Sequence, residues 1–377
     1  MEAEAHISPT TPEVNFNWKY FFWGTIYFII GVLVFLFSLD LMISSLQHLG
    51  PELNQTILLA TANPFTGLFI GLLVTAIVQS STTTTSLTVA LVASGSLTLE
   101  GAVPIIMGAN IGTTITSTIV SLSFINQKKE FRRAVSVGTY HGFFKILTAL
   151  ILFPLEYNFH FLSRLAQFIA VHFFHEPAQV TKNFKLMGPS LSGPVSFIAE
   201  RIGNGYFLAS LSVILLFGSI LFFRKVIAHV LGLGSQEKVQ RFFFKKPYKS
   251  FGWGMLITAV IRSSTVTTSL VVPLVAKKTI RLRQAGAFIL GASIGTTITA
   301  FMASTFNSNA AMSIALTHFL FNFIGVLIFF RTPYLKEIPF RLATGIGRLA
   351  LRSRLVGFLY LLIIFFLIPF SLIYFSQ

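Results

Sequence analysis

The chain contains no cysteine, and its 377 residues include only 12 acidic side chains against 28 lysines and arginines. The first absence removes disulfides, a thiolate nucleophile and cysteine-based metal sites, and it leaves the redox character of the compartment unreadable. Charged residues of both signs together make up 11% of the chain while hydrophobic residues make up 54%, more apolar surface than a protein of this length leaves in water. No serine is accompanied by an evident base at catalytic spacing and no metal-ligating cluster is present, so an enzyme is not indicated. The net charge of +16 does not indicate nucleic-acid binding either. The basic residues sit in short clusters between apolar runs, as the positive-inside rule expects of a membrane protein. The leader lacks a basic n-region, and the first apolar run is too long for a signal-peptide core, so residues 1–18 read as a polar tail.

What is present is a set of uncharged runs at 20–39, 53–99, 101–127, 202–223, 284–330 and 355–377, each meeting or approaching the roughly 20 residues that span hydrocarbon. Two of them are copies of each other in part. Residues 64–116 reappear without a gap as 247–299, with 27 identities in 53 positions at a constant offset of 183. The best-matched stretches are TAIVQSSTTTTSL against TAVIRSSTVTTSL and GANIGTTIT against GASIGTTIT. Repeats of this kind in apolar chains are the halves of transporters.

The basic clusters orient the halves. In the first, the loops flanking the QSST region (47–56 and 94–100) carry no Lys or Arg, whereas the next loop holds Lys128, Lys129, Arg132 and Arg133. In the second, the loops flanking RSST carry Lys238, Arg241, Lys245, Lys246 and Lys249, then Lys277, Lys278, Arg281 and Arg283, and the loop at 305–310 is uncharged. Homologous loops of opposite charge bias lie on opposite sides of the membrane, so the repeats are expected to be inverted. Each QSST or RSST region then makes an even number of crossings, as a re-entrant hairpin or as two full spans. The expected fold is an all-α membrane protein of two inverted-topology repeats, each with a re-entrant helical hairpin, plus an extra C-terminal transmembrane helix. The divisions are a tail (1–18), a first repeat (19–156), an extramembrane connection (157–205), a second repeat (206–330), and a basic segment with the terminal helix (331–377). The amino terminus and the loop 128–133 are placed inside, the connection and the carboxyl terminus outside.

Residues 80–86 are unbroken Ser and Thr, and the density recurs in 263–269. A single hydroxyl in a membrane helix serves packing. A tract of them competes with the helix for local backbone acceptors, and here that happens twice. A helix broken at such a tract exposes N–H groups and hydroxyls to an anion, with helix N-terminal dipoles favouring negative charge. Its hydroxyls and freed carbonyls suit a hard cation such as sodium.

Gln79-Ser80-Ser81-Thr82 and its echo, each followed by Gly-Ala-(Asn/Ser)-Ile-Gly-Thr-Thr, resemble the type II sodium-phosphate cotransporter family, including its bacterial members, over about residues 20–330. The resemblance implies secondary active transport of inorganic phosphate driven by sodium, in an inner (plasma) membrane, with phosphate held between the hairpin tips. It has no bound cofactor, sodium being the coupling ion. Carried over, the phosphate contacts are Gln79, Ser80, Ser81, Thr82 and Asn110 in one half and Arg262, Ser263, Ser264 and Thr265 in the other. The sodium ligands are Gln79, Thr296 and Thr299 and, by pseudo-symmetry, Thr113 and Thr116. A passive anion channel, or a proton-coupled or exporting phosphate carrier, would share this lining; flux independent of a sodium gradient distinguishes them.

The chain departs from the family at Arg262, where Gln is usual, and at Ser293, where Asn is usual. An Arg at membrane depth costs about 3 kcal/mol on insertion scales, and residues 250–276 hold no Asp or Glu to pair with it. A guanidinium fork gripping phosphate, or standing where the family puts sodium, accounts for it. Lys145 occupies the place of Asn322 in the echoed closing helices, with three roles open to it: snorkelling, pairing with phosphate, and pairing with Asp40. His141 and His318 are expected to pack and hydrogen-bond and not to relay protons.

Overall fold

The computed structural model describes residues 61–174, 192–230, 243–304 and 309–375, with isolated positions between 23 and 45. The tail, Asp40, the loop 47–56, and Lys238 and Arg241 lie outside the described residues. All described secondary structure is helical.

The first repeat begins with α1, Pro64–Val78, started by Asn63, whose side chain accepts the Phe65 N–H at 2.9 Å, and by a proline at the first helical position. α2, Ser81–Ala93, runs back from it. α3, Leu99–Gly112, is capped by Thr98 and followed after a two-residue break by α4, Ile115–Leu122. α5, Lys128–Phe159, closes the repeat. The second repeat reproduces the first three helices residue for residue at the offset of 183: α9 is Pro247–Ile261, α10 Ser264–Ala276 and α11 Leu282–Gly295. α12, Thr297–Ser304, and α13, Asn309–Val326 with a π-helical turn at Leu327–Arg331, complete it.

Packing repeats as faithfully as the boundaries. α1 lies on α3 as α9 lies on α11. The crossing depends on glycine, because a Cβ on Gly108 would sit 1.8 Å from Leu68 O and one on Gly291 1.9 Å from Phe251 O. The motif glycines are therefore explained by backbone contact between helices. Across the halves, α2 packs on α12 and α13, and α10 packs on α4 and α5. Each hairpin thus rests on the broken and closing helices of the other half.

Between the halves, the segment 157–205 is largely helical where it is described. α5 continues to Phe159, and α6, Phe161–Phe173, buries Leu162, Ala166 and Ala170 in the main apolar core beside Leu320 and Phe321. The buried Glu156 carboxylate accepts the Leu162 N–H at 2.7 Å and the Ser163 N–H at 3.2 Å and also bonds the Ser163 hydroxyl, which satisfies the first turn of α6. α7, Ser192–Ile202, and α8, Gly205–Val230, follow.

The basic segment forms α14, Glu337–Arg352, lying on α5. The terminal apolar stretch is α15, Leu355–Leu362, a π-helical turn at Ile363–Leu367 and α16, Ile368–Phe375. Among the described residues, five helices are long and apolar enough to cross a membrane: Leu99–Leu122, Lys128–Phe159, Leu282–Met302, Asn309–Arg331 and Leu355–Tyr374. The hairpin arms, at 15 and 13 residues, are only about 22 and 20 Å long, short of the ~30 Å hydrocarbon thickness.

Candidate functional site

Each hairpin turns at a residue held in the left-handed region, Gln79 at φ 55° and Arg262 at φ 56°. Neither is glycine, so each turn carries a steric cost of about 1–2 kcal/mol. The next residue is extended and caps the returning arm. Ser80 (φ −146°) accepts the Thr83 N–H at 3.3 Å and the Thr83 hydroxyl at 2.9 Å, and Ser263 (φ −144°) accepts the Val266 N–H at 3.3 Å. The first-turn N–H groups of Ser81, Thr82, Ser264 and Thr265 have no acceptor one turn earlier within their own helices, so both helix starts present donors and a positive dipole end.

The two tips meet. Thr82 Oγ1 donates to the Arg262 carbonyl at 3.3 Å, across 180 residues of sequence. Ser80, Ser81, Thr82, Ser263, Ser264 and Thr265 are all buried there, with Arg262 half-buried and Gln79 exposed beside them. The structure thus brings together every tip residue singled out from the sequence.

The hydroxyls fall into two groups. Several bond back to their own helix: Thr84 Oγ1 to Ser80 O at 3.2 Å, Thr267 Oγ1 to Ser263 O at 3.0 Å, Thr268 Oγ1 to Ser264 O at 2.8 Å and Thr113 Oγ1 to Ala109 O at 2.8 Å. Others are buried with no hydrogen-bond partner among the described residues: Thr85, Ser86, Thr116, Ser269, Thr296 and Thr299. A buried hydroxyl left in that condition costs about 1–3 kcal/mol. Thr116 and Thr299 are equivalent positions, as are Ser86 and Ser269, so the same oxygens stand orphaned in both repeats. Ser86 lies on α2, which packs against Thr299's helix α12, and Ser269 lies on α10, which packs against Thr116's helix α4. Reading the motif alone did not single out Ser86 and Ser269 as ligands; the offset of 183 links them only once their burial is known.

Neutral oxygens of this kind suit a hard monovalent cation. Among the described residues no group of three His, Asp or Glu side chains gathers to hold a metal, and the one carboxylate–cation pair, Arg283 with Glu337 at 2.7 Å, is on the exposed surface.

Asn110 and Lys145 are joined in a second polar cluster. Asn110 Nδ2 donates to Ile106 O at 2.9 Å, and its Oδ1 accepts from Lys145 Nζ at 2.9 Å and from Asn322 Nδ2 at 3.1 Å. Lys145 also donates to Asn322 Oδ1. It does not snorkel: its position midway along α5 is enclosed by α3 and α13, so the residue is 2% exposed and its ammonium is bonded inward to two amides. Both ring nitrogens of His141 and Nδ1 of His318 lack hydrogen-bond partners among the described residues, so these histidines pack without the expected hydrogen bonds at those atoms.

Basic loops from the two halves also converge. Arg132 and Arg133 share an open depression of about 640 Å³ with Lys278, Arg281 and Arg348, and Arg133 Nε donates to Ala276 O at 2.6 Å.

Comparison with known proteins points to one family. The chain is 30% identical over 447 aligned positions to the human sodium-dependent phosphate transport protein 2B, covering 92% of this chain and 64% of that protein. It is 29% identical over 414 positions to the sodium-dependent phosphate transport protein 2A of Rattus norvegicus, covering 89% and 65% respectively. It therefore spans just under two thirds of the length of these curated relatives. No solved structure matches it. Residues 34–174 and 214–352, one stretch in each half, match the Na+/Pi-cotransporter family, and the chain belongs to that family.

Proposed function

We propose that the protein is a secondary active transporter that couples sodium movement to the transport of inorganic phosphate. Phosphate is held between the two Ser/Thr-rich tips and passed across a plasma membrane by alternating access of two inverted repeats. The observation that carries this reading is the meeting of the tips through Thr82 and Arg262. Two helix starts, a row of hydroxyls and the Arg262 turn come together there, and neither tip sequence, 79–86 or 262–269, holds an Asp or Glu; this is an environment for a tetrahedral oxyanion. Sodium ions take the orphaned oxygens where each hairpin crosses the other half, with Thr296, Thr299 and Ser86 at one crossing and Thr116 and Ser269 at the other; Thr113, whose hydroxyl is bonded to Ala109 O, is left out of the set. Gln79, exposed at its tip, closes over the phosphate.

Three observations support inversion and re-entry. The hairpin arms are too short to span. The packing of each hairpin on the opposite half is reciprocal. The basic loops 128–133 and 277–283, which follow different elements in the two halves, line one depression, consistent with a shared inner face. The amino terminus is then inside and the carboxyl terminus outside.

The test is uptake of radiolabelled phosphate into proteoliposomes with and without an inward sodium gradient. Uptake that requires the gradient and accumulates phosphate against its own gradient is expected. Equal flux in sodium and choline would identify a passive pathway, and accumulation driven by a proton gradient alone would identify a proton-coupled carrier.

A further inference from the structure

α3, α5 and α13 meet around Lys145. Two residues of α5 recur in α13 at an offset of 177, His141 as His318 and Phe144 as Phe321, and Lys145 is matched by Asn322. At the third of these positions a cation faces an amide. The surroundings of that cation are specific. Nζ is bonded to Asn110 Oδ1 at 2.9 Å and to Asn322 Oδ1, and it lies 5.6 Å from the Phe144 ring centroid and 5.8 Å from that of Phe321. The amides are oriented by their own helices, since each Nδ2 donates to the carbonyl four residues earlier, Ile106 O or His318 O, which turns both Oδ1 atoms toward Nζ. Two amide oxygens and two aromatic faces converging on one buried point is the donor set of a monovalent cation. All the partners of Lys145 among the described residues are neutral, so the arrangement neutralises no opposite charge. It encloses a positive one.

We propose that this cluster is a monovalent-cation cage and that its resident cation is the tethered ammonium of Lys145, which stands where a free sodium or ammonium ion would otherwise bind. The cage is built from the closing helices and Asn110, not from the hairpin tips, and it does not depend on phosphate being the cargo.

Lys145→Ala removes the equivalent of n-propylammonium and leaves the oxygens and rings in place. The midpoint of thermal unfolding of the purified full-length variant is measured in millimolar n-propylammonium, in choline at equal ionic strength, and in 1-propanol. Propylammonium should raise the midpoint of the variant by at least about 2 °C, with no effect from choline or 1-propanol and none of any additive on the wild type. Equal rescue by 1-propanol would show that Lys145 serves as apolar filling and would overturn the proposal, as would a folded variant that responds to none of them. Should Lys145→Ala fail to fold, Lys145→Asn, which puts the residue of α13 at the matching position of α5, is measured in sodium against choline. It must gain a larger sodium-dependent rise than the wild type, and an equal rise overturns the cage. Uptake is not used in either arm, so failure here leaves the reading of the tips intact, and failure of phosphate transport leaves this one intact.

Discussion

Thr116 and Thr299 carry buried hydroxyls with no hydrogen-bond partner among the described residues, at the same position of both repeats, and replacing either by Val separates two explanations of them. Valine keeps the shape of threonine and removes only the oxygen. If the oxygen were merely a packing by-product, its loss would relieve a penalty of about 1–3 kcal/mol and nothing else would change. If it is a sodium ligand, the same relief appears only without sodium. In choline, Thr299→Val should therefore match or exceed the wild type in unfolding free energy by up to about 2 kcal/mol. In saturating sodium the order should reverse, because the wild type gains binding energy that the variant cannot. Loss of one neutral ligand should raise the half-activating sodium concentration by about tenfold, equivalent to ~1.4 kcal/mol. Thr113→Val is the control. Its hydroxyl is already bonded to Ala109 O at 2.8 Å, so its loss should cost about 1 kcal/mol in choline and sodium alike. The assays are denaturant unfolding in each salt and phosphate uptake titrated with sodium. Destabilisation of Thr299→Val in choline, with sodium activation unchanged, would refute the assignment of this oxygen to a coupling ion.

Ser81→Ala and Ser264→Ala should each raise the phosphate concentration needed for half-maximal uptake while leaving folding intact; unchanged affinity and rate in both would reduce the tract to helix packing. Arg262→Gln should weaken phosphate binding and steepen the sodium dependence, since a mobile ion replaces a tethered charge, whereas Arg262→Lys should be a poor substitute for the planar fork. Equal Hill coefficients with unchanged phosphate affinity would return Arg262 to a structural role. Gly108→Ala and Gly291→Ala should each cost at least about 3 kcal/mol in unfolding free energy, above ordinary overpacking because the clash is with backbone oxygen; a tolerated alanine would mean the helix crossing is looser than described. Cysteines introduced one at a time as Ser94→Cys and Lys277→Cys should be labelled by impermeant reagents from opposite faces, and same-side labelling would refute inversion.

The duplication made the correspondence of the first three helices of each half legible in the sequence. The contacts that fix their boundaries, such as Gly108 against Leu68 and Gly291 against Phe251, are internal to each repeat and were copied with it. What could not be read lies between repeats. The sequence sets Thr82 and Arg262 180 residues apart, and nothing in either motif says that the hydroxyl of one reaches the carbonyl of the other. Lys145 looked free to snorkel because periodicity places it on a helix but not against its neighbours. Only the arrival of Asn110 and Asn322 from 35 and 177 residues away encloses it. Hydroxyls are equally opaque one at a time: Thr113 and Thr116 look alike in IGTTIT, yet one has a backbone acceptor and the other has none.

The hairpin turns invert the usual relation between sequence and backbone. A left-handed residue after a helix calls for glycine or asparagine on steric grounds, and a reading from turn chemistry alone would continue the helix through Gln79 and Arg262. Both tips instead hold a long polar side chain at φ near 55°, in two copies that have diverged at 26 of the 53 aligned positions. Glycine in either place would relieve the strain, and packing does not forbid it, because Gln79 is exposed and Arg262 only half-buried. On the proposed reading, the conformational penalty is retained for what those side chains do at the point where the tips converge, and function sets the residue at each break.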